Sequence, residues 1–485
     1  MRKLILGTLC SAALLFAACD LDKFPQESIS TDTAWESISD ARNFRIGIYS
    51  YLQVVNGGIH VYATDYQSDL FNATLSFGNR GGDLHRWDFT NSQYDIEDIY
   101  RYNYTCINNC NNIIENIDGI TLADDTEKAE ANNIKGEAYL VRAMCYHTLA
   151  VRFAKDYEPG SAASDLGLPL VLTVDPNAKP SRATLEETYQ RIKDDITQAR
   201  QLLTTEGEAN SVYLTKDVID AFESRVDLYM HNYAEARTLA QNIIDKYPLL
   251  TTSDDLKSMF LNDEGSEVIF RVSMLVDDRT NPFPYYLNWN TGNNHFSPDF
   301  IPSQWVIDLY ENEDVRKNAY FLQETIQCND IIADNIYMLN KYPGNPDLKQ
   351  SEYEYYNMPK PFRSAEAYLI AAEASYREND ETGALNYLND LRIKRGASVL
   401  SVSGTALFDA IKQEWIREFV GEGMRLNDLK RWNDGFTRHD PQNETILSAG
   451  TGMESLSVEA GNIRFVWEIP ANDLNANTNL IPNWE

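Results

Sequence analysis

The sequence predicts an all-α fold in which tetratricopeptide-like helical hairpins pack against an irregular, loop-rich region with minor β-hairpins. Three observations support this prediction: helix signals dominate the chain, small residues recur twelve positions apart in two segments, and strand signals are few. Only "SEVIFRVSML" and "IRFVWEIP" are typical of strands, and both are short and isolated. With 485 residues the chain is too long for one small core, so several packed units are expected.

The first residues have the pattern of a secretory signal peptide over 1–18: a charged start, an apolar run and two small residues. The apolar run is too short for a permanent membrane span. Cys19 follows directly, and this pattern favours bacterial lipoprotein processing, in which the Cys19 sulfur is acylated and becomes the new N-terminus. Ordinary cleavage, which would leave a free thiol, is the alternative. Several acyl chains on Cys19 would tether an otherwise water-soluble protein.

Two helix starts carry the capping-box pattern, in which a hydroxyl residue precedes a Glu by three positions. These are Thr33 with Glu36 and Thr184 with Glu187. After Thr184, apolar residues recur at helical spacing as far as Leu203, which predicts an amphipathic helix whose apolar stripe another element must cover.

Small residues mark two helical hairpins. Ser224 and Ala236 stand twelve residues apart in one segment, and Ala372 and Ala384 have the same offset in the other. Small side chains at these places let paired antiparallel helices approach closely, as in tetratricopeptide units of about 34 residues. Both segments therefore predict divergent hairpins of this kind.

Two regions, 60–104 and 281–305, have a different composition, with many aromatic residues among Gly, Asn, Asp and Pro. Neither has clean helical or strand periodicity, so we expect long loops, which are usually functional in a compact domain. The predicted organisation is a signal peptide (1–18), an N-terminal helical region with the aromatic insert (19–250), a loop-rich region (251–360), and C-terminal hairpins with a tail (361–485). We expect 19–485 to form one compact unit.

Charge and cysteine content exclude several classes of protein. The formal net charge is -31, which argues against binding nucleic acid or an anionic membrane surface through a basic patch. Aromatic residues make up 11% of the chain, so it is not a disordered acidic tail. Cys106 and Cys110 lie one helical turn apart with no His at a metal-ligand spacing, and Cys145 and Cys328 are distant in sequence. We expect buried free thiols and no metal site.

An ordered set of motifs gives the chain a family resemblance. Cys19 is followed by "KGEAYLVRAMCYHTLAVRF", "PFRSAEAYLIAAEASYREN", "EFVGEGMRLNDLKRW" and "FVWEIPANDLNANTNLIPNW". With these motifs, over nearly the whole mature chain, it resembles the SusD/RagB family of outer-membrane nutrient-binding lipoproteins, which are starch-utilisation-system D-like. Trp415, where the family has Arg, and Thr478, where it has Pro, depart from the pattern and put only local packing in doubt.

The resemblance implies a fold with about four tetratricopeptide-like helix pairs and a site outside them. It implies a lipid-anchored protein that faces the cell exterior, caps a SusC-like TonB-dependent transporter, and presents an oligosaccharide or, in RagB-type branches, a peptide. Such proteins are binding proteins without a cofactor, not enzymes. The charged motif residues are expected to pair and hold helices together: Arg363, Glu366, Glu373, Arg392, Glu422, Arg425, Asp428 and Arg431.

Candidate ligand residues come from the two aromatic regions, because a sugar offers flat C–H faces to aromatic rings and hydroxyls to polar side chains. The candidates are Trp87 and Trp289 as platforms, Tyr62, Tyr66 and Tyr286 as walls, and Asp69, Arg80, Asn103 and Asn288 as polar contacts. The alternative for each aromatic residue is a plug in the loop core. The Trp and Asn content favours a glycan over a peptide.

Catalysis and pure scaffolding are the competing functions. A glycosidase needs two carboxylates at a defined separation, which 73 Asp and Glu residues neither indicate nor exclude. No G-x-S-x-G, H-E-x-x-H or phosphate-binding G-x-x-x-x-G-K motif is present. Tetratricopeptide arrays commonly bind proteins, so a scaffold would lack affinity for small ligands. The sequence favours a non-enzymatic binding protein.

Overall fold

The structure is a computed structural model that describes residues 34–280 and 282–484. Helices dominate this part of the chain and the strands are short, so the all-α prediction is confirmed. The signal peptide, Cys19 and Thr33 lie outside the described residues. The first described helix follows Ser37, whose backbone N–H donates to the Asp40 carboxylate at 2.9 Å.

The helices within the described residues have the following bounds: α1 Ile38–Val55, α2 Ile59–Gln67, α3 Gly82–His85, α4 Tyr94–Asn116, α5 Asp125–Phe153, α6 Leu185–Leu202, α7 Lys216–Tyr229, α8 Tyr233–Lys246, α9 Ser253–Asn262, α10 Gln304–Asp308, α11 Val315–Tyr320, α12 Ser364–Arg377, α13 Glu381–Lys394, α14 Gly404–Phe419, α15 Arg425–Trp432 and α16 Ala471–Ala476. The strands are β1 Phe71–Ala73, β2 Leu166–Pro169, β3 Arg182–Thr184, β4 Val268–Phe270, β5 Trp289–Asn290, β6 His295–Phe296, β7 Phe300–Pro302, β8 Phe321–Cys328, β9 Ile331–Leu339, β10 Phe362–Arg363, β11 Phe436–Thr437 and β12 Ser457–Val458.

The long helices form one continuous array in the order α1, α4, α5, α6, α7, α8, α12 and α13, each packed against the next. Both predicted hairpins are present as α7 with α8 and α12 with α13, and their small residues are buried between the helices. The capping box of α6 is confirmed, because the Thr184 hydroxyl accepts from Glu187 N–H at 3.1 Å. Packing of α8 against α12 joins the array across the intervening loop-rich segment.

The aromatic region 60–104 is more helical than predicted, because it contains α2 and the first turns of α4. Most of α2 is buried, including the polar residues His60, Thr64, Asp65 and Gln67. A helix buried on nearly all sides has no solvent-facing polar stripe, so it lacks the periodicity by which a sequence reveals a surface helix.

The strand predictions are partly wrong. The "SEVIFRVSML" segment does form β4, which pairs with β10. In "IRFVWEIP" the chain instead makes a 3-10 turn over Ile463–Phe465, and then Trp467 N–H donates to the Arg152 carbonyl. The β8–β9 hairpin was not predicted, because its pairing shifts register between Glu324 and Ile326 and so interrupts the alternation that predicts a strand.

Charged motif residues hold the C-terminal helices together, as predicted. Glu418 on α14 accepts hydrogen bonds from Arg316, Arg363 and Arg395, and all four side chains are fully buried. The remaining pairs of the predicted set are Arg225 with Glu366, Arg431 with Glu373 and Asp428, Arg392 with Glu414, Lys341 with Glu422, and Arg425 with Asp69. Cys106, Cys110, Cys145 and Cys328 are buried free thiols, which is also as predicted.

Candidate functional site

Two chain segments that are distant in sequence meet above the helical array. Strand β1 pairs in antiparallel fashion with β7, with Phe71 opposite Pro302 and Ala73 opposite Phe300. This pairing brings the aromatic region 60–104 against the segment 282–305. An apolar cluster below it, which includes Tyr66, Tyr286 and Phe300, fixes the two segments together.

A groove of about 250 Å³ lies where the segments meet. We call it the tyrosine groove; its wall residues are Gly58, Ile59, Tyr62, Arg80, Gly81, Tyr94, Asp95, Asp98, Pro282 and Tyr285. Tyr62 and Tyr285 cross edge to face with ring centroids 4.8 Å apart, and the Tyr62 hydroxyl donates to the Tyr285 hydroxyl at 3.5 Å. Tyr94 stands at the rim with 59% of its surface exposed. The groove therefore offers aromatic faces beside hydroxyl groups.

Arg80 supplies a fixed cation at this groove. Its guanidinium lies 4.5 Å from the centroid of the Tyr285 ring and donates to the buried Asp299 carboxylate at 2.7 Å. The Arg80 side chain is still 47% exposed, so it has donors left for a ligand. The ion pair and the ring contact hold the guanidinium in one place, which reduces the entropy lost on binding.

Asp95 places a buried carboxylate with one unpartnered oxygen in the groove wall. It is 3% exposed, and its Oδ2 has no hydrogen-bond partner within the described residues. Burial, with repulsion from Asp98 and Asp83, raises the pKa of Asp95 to about 6, against the lowering effect of a hydrogen bond from Tyr94. A buried acceptor without a donor is costly, so a ligand hydroxyl or amine that donated to it would gain free energy.

Glycine shapes one wall of the groove. Gly81 has a φ of 66°, and a Cβ at this position would lie 2.8 Å from Cδ2 of the Tyr66 ring. Only glycine combines this backbone conformation with such close approach to the ring. The "GNRGGD" stretch forms a turn, since Gly82 N–H donates to the Asn79 carbonyl at 3.2 Å.

Trp289 forms a second aromatic surface. Its ring stacks in parallel on Tyr353, with centroids 5.1 Å apart and an interplanar angle of 7°, and meets the edge of Phe296. Trp289 is half-buried and Tyr353 is 39% exposed, so part of the stack faces solvent. The neighbouring predicted residue, Asn288, uses its amide to donate to the Ser297 carbonyl.

Trp87 lies in the packed interior. Only 7% of its surface is exposed, its Nε1 donates to the Gln67 carbonyl, and its ring meets Phe465 edge to face at 4.9 Å. Its backbone adopts the left-handed conformation, with a φ of 57°. The structure therefore gives Trp87 no open face for a sugar.

Four other candidates are also buried. Tyr66 stacks on Phe300 at 3.8 Å and Tyr286 packs against Phe71. Asn103 donates to the Ile99 carbonyl within α4. Burial alone would raise the pKa of Asp69, but the Arg425 guanidinium lowers it below its usual value. Of the nine candidates, only Tyr62 and Arg80 line the tyrosine groove.

Tyr94, Asp95, Tyr285 and Tyr353 were not among the residues predicted from the sequence. Tyr285 and Tyr286 are adjacent in a 3-10 turn, where one ring points outward and the other inward, and composition cannot distinguish them. Asp95 is one of many acidic residues in the chain. Only its burial distinguishes it from the others, and no sequence pattern predicts that burial.

A possible cation cluster lies apart from these residues. Within the described part of the chain, Asp156, Glu158 and His231 bring one ligand atom each within 4.8 Å of one another. None of the three lines the tyrosine groove. Among residues 34–280 and 282–484, no helix combines the length and apolarity that a bilayer crossing requires.

Comparison with known proteins identifies the family. The sequence model described as "SusD family" matches residues 316–484, and the one described as "Starch-binding associating with outer membrane" matches residues 21–228. The chain belongs to the SusD/RagB family. Of the motifs that carried the resemblance, "KGEAYLVRAMCYHTLAVRF" lies within 21–228 and the three later motifs lie within 316–484, while Cys19 stands two residues before the first of these ranges.

Two curated relatives agree with this membership. The chain is 36% identical over 124 residues to Starch-binding protein SusD of Bacteroides thetaiotaomicron, an alignment that spans 25% of this chain and 20% of that protein. It is 22% identical to SusD-like protein P25 of Formosa agariphila, over 86% of this chain and 88% of that protein. The chain thus aligns with about one fifth of the first relative.

Solved structures share the fold of this family member. A SusD superfamily protein of Bacteroides thetaiotaomicron superposes with a TM-score of 0.79 at 24% identity, covering 93% of this chain and 100% of that one. A SusD-like carbohydrate binding protein of Bacteroides vulgatus gives a TM-score of 0.74 at 21% identity, covering 92% and 98%.

Proposed function

We propose that the protein binds an oligosaccharide in the tyrosine groove at the cell surface, without cleaving it. The observation that carries the proposal is the set of groups in that groove. Tyr62, Tyr94 and Tyr285 offer ring faces to pyranose C–H groups, while Arg80 and Asp95 offer a donor and an acceptor to hydroxyls. The names of SusD relatives, starch-binding and carbohydrate-binding, support the same ligand class.

The proposal extends to the surroundings of the protein. A lipid on Cys19 would anchor it in the outer membrane facing outward, and a SusC-like TonB-dependent transporter would receive the cargo. Family membership supports this arrangement. The groove takes Tyr94, Asp95 and Asp98 from the start of α4, whereas the later array helices contribute none of its wall residues, so a transporter on those helices and a glycan in the groove could be bound together.

Calorimetry with a panel of oligosaccharides tests the ligand class. We expect at least one neutral glycan to bind, and Tyr285→Ala to weaken it at least 10-fold, or about 1.4 kcal/mol. Tyr213→Ala is the matched control, since Tyr213 is an exposed tyrosine outside the groove. Equal glycan affinity in Tyr285→Ala and in the control would show that the groove is not the binding site.

The same samples test the two competing functions. Incubation of each bound glycan with the protein should yield no new reducing ends, and a steady increase would establish an enzyme instead. Binding of extended peptides with no glycan affinity would favour the RagB-type cargo. If no small ligand bound while a transporter did, the protein would be a scaffold.

A further inference from the structure

A second cavity lies inside the molecule, between the helical array and the loop-rich layer. It has a volume of about 150 Å³, and we call it the central cavity. Its walls come from α2, the C-terminal part of α5, the end of α7, the segment 358–363 and the turn before α15. None of its lining residues lines the tyrosine groove.

The central cavity has one cation that no carboxylate balances. Arg152 on α5 lines the cavity and is 8% exposed. Its Nη2 donates to the His60 carbonyl, while its Nε and Nη1 have no hydrogen-bond partner within the described residues. The Trp467 ring centroid lies 5.6 Å from the guanidinium.

The other charged residues that line this cavity form ion pairs. Arg225 binds Glu366, Lys360 binds Asp263, and Arg363 binds Glu267, Glu418 and Glu422. Glu422 is the one acidic lining residue, and Lys341 and Arg363 hold it. The uncompensated charge of the lining is therefore that of Arg152.

Two imidazoles add unused polar atoms to the same walls. His60 is 2% exposed and neither of its ring nitrogens has a partner. His147 is 5% exposed and its Nε2 has none. Burial, together with the charge of Arg152, lowers the pKa of His60, so its ring is neutral and one of its nitrogens is a donor.

Isolated buried charges are unfavourable, and proteins offset them with a counter-ion or a paired group. Burial lowers the pKa of Arg152 to about 10, so the side chain remains a cation at neutral pH. The central cavity is large enough for several water molecules, and so for a small ion. We propose that the central cavity binds a small anion, a halide or a carboxylate, on the guanidinium of Arg152.

Anomalous diffraction from crystals of the protein grown in sodium bromide tests the site directly. The expected result is a bromide peak in the central cavity within hydrogen-bonding distance of the Arg152 guanidinium. Bromide only on the outer surface, together with water alone in the central cavity, would overturn the proposal for halides. A parallel crystal grown in sodium formate tests the carboxylate, and water alone in both crystals overturns the proposal altogether.

Thermal unfolding provides an independent measurement in solution. We expect bromide or formate to raise the melting temperature by about 1–3 °C in a saturable manner relative to gluconate at equal ionic strength. Arg152→Met should abolish this rise. Arg182→Met is the matched control, since Arg182 is a buried arginine that donates to main-chain carbonyls, and it should keep the rise. An equal rise in both variants contradicts the proposal, and if Arg152→Met does not fold, the diffraction result decides.

Discussion

At the scale of single residues, Asp95 links the chemistry of the tyrosine groove to the stability of the fold. Its carboxylate is buried beside two other acids and lacks a partner for Oδ2. A site kept ready for a donor is costly in the absence of that donor. Substitution of Asp95 should therefore change two measured quantities: the affinity for a hydroxyl-rich ligand and the pH dependence of the free energy of unfolding.

The free energy of unfolding should fall as the pH rises past the pKa of Asp95. Its pKa is raised to about 6 in the folded protein, above the value of about 3.9 for an unfolded chain, so the ionised form is the unfavourable one. The cost is absent below pH 4, grows between pH 4 and 6, and is complete at pH 7. We expect Asp95→Asn to raise the free energy of unfolding at pH 7 by about 3 kcal/mol, with little gain at pH 4.

Urea denaturation of both proteins from pH 4 to pH 8 measures this difference. The exposed Asp88 serves as a control, and Asp88→Asn should track the wild type at every pH. A gain in Asp95→Asn that is constant across the pH range would contradict the assigned titration.

Trp87 and Tyr285 should behave in opposite ways. Because Trp87 fills the core, Trp87→Ala should lower the free energy of unfolding by about 3–5 kcal/mol and leave glycan affinity unchanged well below the melting temperature. Tyr285→Ala should weaken glycan binding with a smaller loss of stability. A stable Trp87→Ala protein that no longer binds would restore Trp87 as a platform.

At the scale of elements, buried ion pairs join the C-terminal helices to the loop-rich layer. Glu418 on α14 forms ion pairs with Arg363 in β10, Arg316 on α11 and Arg395 at the end of α13. These arginines hold the pKa of Glu418 well below its usual value although burial opposes them. The elements are therefore coupled through one carboxylate.

Glu418→Gln should lower the free energy of unfolding by about 3–5 kcal/mol, because it leaves buried guanidinium groups without their counter-charge. Glu130→Gln is the control, since Glu130 pairs with the half-exposed Arg42 and should cost less than about 1 kcal/mol. Chemical denaturation of both variants at pH 7 compares them. Equal losses would mean that the buried network contributes no more than a surface pair.

The elements that sequence could predict are those with a regular relation to solvent. The amphipathic stripe after Thr184 and the small residues Ser224 and Ala372 predicted α6 and the two hairpins, because array helices must bury one face. Helix α2 could not be predicted because nearly all of it is buried. The β8–β9 hairpin could not be predicted because its register shift breaks the alternation of apolar and polar residues. The site could be predicted only in part for a related reason. Tyr285 and Tyr286 are adjacent in one turn, yet one ring points outward and the other inward.

At the scale of the whole molecule, the tyrosine groove is built directly against the helical array. The helical array is continuous from α1 to α13, and its helix α4 supplies Tyr94, Asp95 and Asp98 to the wall of the tyrosine groove. A rigid array beneath a groove would hold the groove residues in position before a ligand arrives, which limits the entropy cost of binding.

Anchoring is also a property of the whole molecule. We expect Cys19→Ala to move the protein from the outer-membrane fraction to the soluble periplasmic fraction or the medium, since no acyl chain could then be attached. Cell fractionation and detergent partitioning measure this. Cys106→Ala is the control, as it alters a buried thiol and should leave the protein with the membrane. Membrane retention of Cys19→Ala would contradict the lipid anchor.

The most direct measurement is a crystal structure of the protein with the best-binding oligosaccharide from the calorimetric panel. The account predicts a sugar ring against Tyr285 or Tyr94, with hydroxyls hydrogen-bonded to Arg80 and to Asp95 Oδ2. A glycan bound only outside the tyrosine groove, with the groove holding water alone, would contradict it.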